Sequence, residues 1–361
     1  MGFQSIGSHN FRNLSGGEVP LEAPEVFLVG ENGQGKTNFL EAVYLLAYGG
    51  SFRTSTDQRL ILHNAEEALV RGSFTAEGGV GREVAVRLDR QGGKEIRVDG
   101  KGVRDRLQLI ENIPCILFSH QDLETVTGSP EMRRRFFNQV LGLFDPLFVS
   151  LLRSYRRALK SRNLLLRDAG RDLLAAAGRA LAELGLRIRE RRAQVVEEFN
   201  RTLTPLFGRV SGLQEEVRIQ YRPCWKGETL AEVERELERS LAVDLRFAAT
   251  TTGPHRDRFL LLQGSREFAH QASTGQVRLG SLLLRVAQTR FYQVKTGRRA
   301  VLLLDDVLLE LDSARRERFL GEIPEYDQAF FTFLPDEQFL SLRRPQTLVY
   351  RVGAGELRRQ A

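Results

Sequence analysis

The residues with the most specific chemistry lie near the N-terminus. Gly30-Glu31-Asn32-Gly33-Gln34-Gly35-Lys36-Thr37 fits G-x-x-x-x-G-K-[ST] at every fixed position. Glycines in such a loop let backbone N–H groups wrap phosphates without Cβ clashes, and a helix N-terminus just after it adds partial positive charge on the same anion. Lys36 is placed to reach the terminal phosphates as a point charge, and the Thr37 hydroxyl to ligate Mg²⁺. The context agrees. Glu25–Val29 reads as a buried strand, and residues 36–47 place Phe39, Leu40, Val43, Leu46 and Ala47 at helical spacing until Gly49-Gly50. No N-K-x-D base-reading motif occurs, so ATP is expected rather than GTP.

A second site of chemistry follows much later. Val301–Leu304 is an apolar run ending in Asp305-Asp306. A parallel strand buried on both faces reads this way, and ligands bind at the carboxyl ends of such strands. Asp305 would hold Mg²⁺ opposite Thr37. Asp306 would orient or deprotonate the attacking water. Leu311-Asp312 with Arg315 is by itself an ordinary helix N-cap. After an acidic strand end it resembles the D-loop of ABC-type ATPases. Ser273-Thr274-Gly275-Gln276 opens a stretch in which Leu279, Leu282, Leu283 and Val286 share one helical face. Alone that is a Ser N-cap with a Gly nearby. Its place, about 25 residues before the acidic strand, resembles the ABC signature motif. The resemblance implies that Ser273, Gly275 and Gln276 meet the γ-phosphate held by another copy's loop.

The surrounding chain must position these groups. Its 361 residues predict two or three domains, with 42% apolar and 27% charged residues as in globular proteins. The formal charge is +7, which makes a polyanionic partner plausible and says nothing of fold. Cys115 and Cys224 are far apart and form no CxxC pair, which argues against a zinc finger or thioredoxin-type site and fits a reducing compartment. No apolar run approaches the length of a membrane span. The N-terminus lacks a signal pattern, and Ile6 stands where a myristoylation site needs Ser or Thr. A cytoplasmic protein is expected.

Residues 1–120 read as short strands with one helix. Val84, Val86 and Leu88 share a strand face, as do Ile96 and Val98, and Gly92-Gly93 and Asp99-Gly100 are hairpin signals. Residues 130–245 read as long charged helices around one strand at Val217, Ile219 and Tyr221. Strand–helix alternation returns over 255–352, with strands at Phe259–Leu262, Val301–Leu304, Ala329–Phe333 and Thr347–Val352. From Glu131 to Arg201 there are 16 Lys/Arg against eight Asp/Glu, so this helical region carries the whole net excess. Many of these arginines must be a solvated face. Arg133, Arg134, Arg135, Arg156, Arg157 and Lys160 are the candidates for DNA phosphates.

The full set of segments resembles the RecF family of bacterial recombination mediators, relatives of the SMC-protein ATPase heads. The segments are Asn10–Leu14, the loop and helix at 30–47, Ser51–Thr54, Gly128-Ser129-Pro130 with Arg133–Phe137, Gly253–Asp257, Ser273–Gln276, Asp305-Asp306 and Leu311-Asp312. Only 235 residues separate Thr37 from Ser273, which leaves no room for the long coiled-coil arms of SMC proteins. The resemblance implies an α/β, ABC-type P-loop ATPase fold. A mixed-sheet lobe (1–125 and 250–361) would accompany a compact helical lobe (126–249). It implies ATP and Mg²⁺ as cofactors and an ATP-gated homodimer that clamps double-stranded or gapped DNA. A weak, DNA-stimulated ATPase would release the clamp, assisting RecA loading with RecR and RecO in repair, replication and the SOS response. The alternatives are an ABC-transporter ATPase subunit and a non-hydrolysing ATP-sensing scaffold.

Some residues depart from the expected pattern. Val277 follows the signature Gln. Asp306 stands where transporters use Glu, and its shorter carboxylate predicts slow turnover. No switch His follows strand 329–333, whose only polar residue is Thr332. Gln121 is the candidate glutamine-loop ligand for nucleotide and Mg²⁺, or else a surface turn residue. Arg12 and Arg53 are candidates for the nucleotide site. In Gly253-Pro254-His255-Arg256-Asp257, a structural His255–Asp257 hydrogen bond is preferred to a metal or catalytic dyad, because no Cys or second His lies nearby.

Overall fold

A computed structural model describes residues 1–103, 107–168, 171–213, 215–308, 311–335 and 342–360. The strands, in chain order, are β1 (Gly2–His9), β2 (Gly17–Pro20), β3 (Glu25–Val29), β4 (Glu67–Thr75), β5 (Gly81–Asp89), β6 (Lys94–Val98), β7 (Lys101–Gly102), β8 (Cys115–Phe118), β9 (Val217–Arg222), β10 (Arg258–Gln263), β11 (Arg266–Glu267), β12 (Val301–Leu304), β13 (Gln328–Phe333), β14 (Thr347–Gly353) and β15 (Glu356–Gln360). The helices are α1 (Lys36–Tyr48), α2 (Leu107–Asn112), α3 (Leu123–Thr127), α4 (Pro130–Gly142), α5 (Pro146–Asp168), α6 (Arg171–Ser211), α7 (Leu230–Phe247), α8 (Thr274–Thr296) and α9 (Ser313–Glu322). They form two compact units, residues 1–120 with 292–361, and residues 121–291.

The first unit is built on two six-stranded sheets, ordered β2-β1-β4-β5-β6-β7 and β15-β14-β3-β13-β12-β8. The first is antiparallel. In the second, β14, β3, β13, β12 and β8 run parallel and β15 closes the edge antiparallel. Val26 and Leu28 of β3 share one core with Phe3, Val70 and Val84 of the other sheet. The α1 side chains Phe39, Leu40, Val43, Leu45 and Leu46 complete it. A helix apolar on nearly every side must be buried on nearly every side, and α1 meets strands of both sheets. The alternate residues of the parallel sheet point the other way. There Phe27 meets Phe331 and Phe333, and Phe118 meets Phe319 of α9. Buried Gln328 joins the sheets through polar bonds, accepting from Phe3 N–H and donating to the carbonyls of Phe3, Leu21 and Ala23.

The predicted hairpin is present. Val98 pairs with Lys101 across Asp99-Gly100, both at positive φ, the backbone that a two-residue primed turn requires. The expected strands and α1 form with ends shifted by no more than a residue or two.

The second unit surrounds the three-stranded sheet β11-β10-β9 with helices. Phe137 stacks on Phe259 of β10, and Phe199 of α6 meets Phe136, Phe137 and Phe291 edge-on. The lobe boundary expected at residue 250 therefore falls at 291. The reason is strand pairing: β10 registers against β9 from Arg258↔Arg222 to Gln263↔Val217, which holds the 250–270 segment in the helical unit. Ion pairs buried in this unit further bind the helices to that segment. Arg162 donates to Asp244 (2.7 Å) and Thr250 (2.7 Å), and Arg192 to Asp257 (2.8 Å).

α6 shows how tightly this unit packs. A Cβ on Gly185 would lie 2.3 Å from the Trp225 ring, which is 1% exposed, whereas Gly208 on the same helix faces open space. Helix propensity favours Ala over Gly by about 1 kcal/mol at either site. Overpacking at a rigid buried ring costs about 1–3 kcal/mol. Gly185→Ala should therefore lower the thermal unfolding midpoint, and Gly208→Ala should raise it or leave it unchanged. Equal effects of the two substitutions would contradict this packing.

Candidate nucleotide site

The phosphate loop lies between β3 and α1, and the parallel sheet brings it beside the acidic strand end. β13 separates β3 from β12 and pairs with both. Thr37 Oγ1 consequently donates to Asp305 Oδ1 at 2.8 Å, although 268 residues separate them in sequence. These are the oxygens a hard cation takes, so the pair suits Mg²⁺.

Lys36 is 4% exposed. Its Nζ donates to the carbonyls of Gly30 (2.6 Å) and Glu31 (3.1 Å), and it forms no ion pair among the described residues. The first turn of α1 has no side-chain cap and no acidic residue. A buried cation without a counterion beside uncapped N–H groups is the signature of an anion site. Two glycines are required by the close packing. A Cβ on Gly30 would lie 2.3 Å from the Val352 carbonyl, and Gly35 has φ 117° with Asn13 and Gly355 against it. Glu31, Asn32 and Gly33 are exposed. Gln34 is tied to the β14–β15 turn: its Oε1 accepts from Ala354 N–H (2.7 Å) and its carbonyl from Gly355 N–H.

Asp306 takes a left-handed backbone, φ 52°, where a non-glycine residue is strained. Thr332 at the end of β13 holds it there. The Thr332 hydroxyl accepts from Asp306 N–H (2.7 Å) and donates to Asp306 Oδ1 (2.8 Å). The only polar side chain of strand 329–333 is thus the anchor of the second acid. Burial, followed by the neighbouring charge of Asp306, pushes the Asp305 carboxyl up to about 6. Hydrogen bonds from Thr37 and Thr332 and the charge of Arg53 act in the opposite direction.

Arg12, expected at the nucleotide, is bonded to α1 and to the Arg59 backbone. Its Nε and Nη2 grip both oxygens of Glu41 (2.8 and 2.9 Å), and its Nη1 donates to the Arg59 carbonyl. Glu41 is fully buried on α1 and also accepts from Ser51. Arg53 donates to Asn38 (2.8 Å), Asn38 to Asn13 (2.7 Å), and Asn13 to the Gly33 carbonyl (3.2 Å). This polar chain fixes the loop, and Glu41 and Asn38 escaped the sequence reading because both sit within an apolar helix pattern. Asp312 caps α9, accepting from Arg315 N–H at 2.8 Å.

The remaining candidates belong to the second unit. Gln121 is exposed in a short 3-10 turn following β8. Ser273 and Gln276 form a reciprocal cap: Ser273 N–H donates to Gln276 Oε1 (2.8 Å) and Gln276 N–H to Ser273 Oγ (3.3 Å). Ser273 is exposed, Gly275 is half-buried in the first turn of α8, and the Ser273 hydroxyl proton is still available to an incoming anion. Among the basic candidates, Arg133 donates to the carbonyls of Thr125 and Val126, and Arg134 to that of Asp257. Arg135, Arg156, Arg157 and Lys160 are exposed. His255 and Asp257 do not bond to one another as expected. His255 meets Tyr155 (2.8 Å) and the Thr250 carbonyl (2.9 Å). Asp257 accepts from Arg192, Tyr221 and the Cys224 N–H.

Two predictions follow from the acid pair. A carboxyl raised from 3.8 to about 6 holds a proton that the unfolded chain has lost between those values, so its contribution to stability declines as pH rises through that window. In EDTA, Asp305→Asn should stabilise the protein by about 1–3 kcal/mol at pH 8 and by nothing at pH 4. Added Mg²⁺ should restore stability to the native chain only. Thr332→Val should lower ATP turnover about tenfold through loss of one anchoring hydrogen bond to a charged group, with nucleotide affinity held within twofold; single-turnover and binding measurements separate the two.

Known proteins resemble this chain in sequence and in fold. A family model described as the RecF/RecN/SMC N terminal domain matches residues 3–351. The DNA replication and repair protein RecF of Treponema pallidum (strain Nichols) is 41% identical over 346 residues, 96% of this chain and 98% of its own. That of Synechococcus sp. (strain JA-3-3Ab) is 36% identical over 345 residues, 90% of this chain and 88% of its own. A solved structure of the recombination mediator protein RecF with ATP in the RecFOR pathway superposes with a TM-score of 0.91 at 27% identity, covering 100% of this chain and 98% of that one. An Smc head bound to the C-winged helix domain of ScpA shares the fold, with a TM-score of 0.57 at 15% identity over 99% of this chain and 97% of that one. On these matches and on its own phosphate loop and acidic strand end, this chain belongs to the RecF family, within the wider RecF/RecN/SMC group of ATPase heads.

Proposed function

We propose that this protein is an ATP-gated homodimeric DNA clamp. The observation that carries the reading is the pairing of an anion site with an exposed second half-site. The loop holds a buried, uncompensated Lys36, and Ser273 stands exposed at the N-terminus of α8 with a hydroxyl proton to give. Two chains would each present a loop to the other's Ser273, Gly275 and Gln276, enclosing two ATP molecules. Nucleotide then adds interface energy only to the closed dimer and shifts the equilibrium toward it.

The chemistry is hydrolysis of the β–γ phosphoanhydride. Lys36 and the loop N–H groups stabilise charge on the phosphate oxygens. Thr37 and Asp305, with Gln121, would hold Mg²⁺, which would supply positive charge against the charge developing on the phosphate oxygens. Asp306 accepts a proton from the attacking water as the bond to the leaving ADP breaks. The short carboxylate, bonded to Thr332, supports slow turnover, so the clamp persists before release. Asp312, capping α9, lies on the loop that would join the dimer seam.

DNA contact is assigned to the exposed members of the basic face, Arg135, Arg156, Arg157 and Lys160, with Arg133 and Arg134 holding the backbone beneath them. Backbone phosphates are the target, so binding is sequence-independent and salt-sensitive. The relatives' names place them in DNA replication, repair and the RecFOR pathway. We assign this chain the same work in the cytoplasm: with RecR and RecO, it assists RecA loading at gaps and junctions and supports SOS induction. Family membership removes the transporter-subunit alternative.

Sedimentation with and without ATP tests the shared site. Lys36→Met should weaken nucleotide binding about 100-fold, the scale of a lost charged hydrogen-bond set, and abolish dimerisation. Ser273→Arg should bind nucleotide normally and stay monomeric. Normal dimerisation of Ser273→Arg would refute the shared site, and the absence of phosphate release from the native chain, with or without DNA, would leave an ATP-sensing scaffold.

A further inference from the structure

The Gly253–Asp257 segment plays no part in the nucleotide chemistry, yet it forms the floor of a cavity in the second unit. We propose that this cavity is a dedicated phosphate-binding pocket, separate from the nucleotide site, in which guanidinium groups from three segments converge on one anion. The cavity has a volume of about 480 Å³ and is lined by Arg134 and Arg135 of α4, Arg156 of α5 and Arg256. That size suits one nucleotide-sized group.

The floor is built and rigid. His255 is held between the Tyr155 hydroxyl (2.8 Å) and the Thr250 carbonyl (2.9 Å). With Nε2 donating to the carbonyl, Nδ1 accepts from Tyr155, and the ring is neutral. Burial pushes the His255 pKa down, in keeping with that state. Gly253 permits the turn: its φ is 131°, and a Cβ there would lie 2.8 Å from the Tyr155 oxygen. Beneath the wall, Arg192 is 2% exposed and bonded to Asp257, the Pro254 carbonyl and Asn138, while its Nε finds no acceptor among the described residues.

The mouth is cationic and unpaired. Arg135, Arg156 and Arg256 form no ion pair or side-chain hydrogen bond among the described residues, and Glu131 is the one carboxylate among the lining residues. Guanidinium forks bind phosphate oxygens in pairs. Three unpaired forks exceed what one carboxylate would neutralise, so a phosphate is the fitting ligand. A flat basic surface would track a duplex. A pocket with a fixed floor seats one phosphate in a defined place and so sets the register of whatever carries it.

The pocket rests on the DNA-binding reading only for the carrier of the phosphate, which is either a nucleic-acid strand or a small free phosphate. The full chain and an Arg156→Ala/Arg256→Ala variant are compared, with thermal unfolding confirming that these exposed positions leave the fold intact and Arg135→Gln as an independent variant. Anisotropy of a labelled 30-base-pair duplex reads the strand. Calorimetry with inorganic pyrophosphate, the loop saturated by a non-hydrolysable ATP analogue, reads the small anion. Loss of duplex affinity by about tenfold or more, with a salt slope shallower by about 2, is the expected result and identifies the strand as carrier. Loss of pyrophosphate binding alone supports the pocket with a small phosphate as its ligand, even if the native chain binds no DNA. Unchanged duplex and pyrophosphate binding in a native chain that binds DNA overturns the pocket and leaves the clamp standing. Binding of a polyglutamate peptide in preference to both probes overturns it as well.

Discussion

A lysine ammonium enclosed by protein, with only carbonyl oxygens of its own loop as partners, is stable in that place only because the surrounding fold holds it there. Lys36 is such a group. The N–H groups of the following helix turn also have no side-chain cap. Both deficits have the same remedy, an incoming polyanion. The two sheets, the apolar helix α1 packed against both, and the glycines under Val352 and Asn13 keep that arrangement from collapsing when no anion is bound. An active site that is costly in its empty state binds its ligand with the free energy so stored.

The acid pair follows the same logic. Asp305 and Asp306 stand side by side at a strand end, and the charge of Asp306 makes ionisation of the buried Asp305 harder. Among the described residues their close side-chain donors are two hydroxyls, Thr37 in the first turn of α1 and Thr332 of β13. Thr332 also fixes a backbone that a free chain would avoid. The strain is local, and β13, fully buried between β3 and β12, is what makes it tolerable.

The basic region divides by burial rather than by charge. Arg162 and Arg192 are core residues, each holding an aspartate and a segment of chain that the sequence puts far away. Removing either would leave a buried carboxylate unpaired, which is why such pairs are structural even though their net contribution to stability is small. Arg133 and Arg134 support backbone carbonyls. Of the candidates, Arg135, Arg156, Arg157 and Lys160 are the ones exposed to another molecule. A count of charges along the sequence treats all of these alike.

The local sequence determined a good deal. The phosphate loop, the strand before it, the helix after it, the apolar run ending in two aspartates, and the Asp99-Gly100 turn all follow from patterns a few residues long, because glycine dihedrals, helix periodicity and strand burial are local physics. Ser273-Thr274-Gly275-Gln276 was legible as a cap for the same reason. Only the tertiary structure decided what those pieces meet. Thr37 reaches Asp305, Arg12 grips Glu41, His255 and Asp257 take separate partners, and the 250–291 segment joins the helical unit through β9 and β10. These outcomes depend on sheet order and side-chain direction across tens to hundreds of residues. A carboxylate has several possible donors along the chain, and only packing chooses among them.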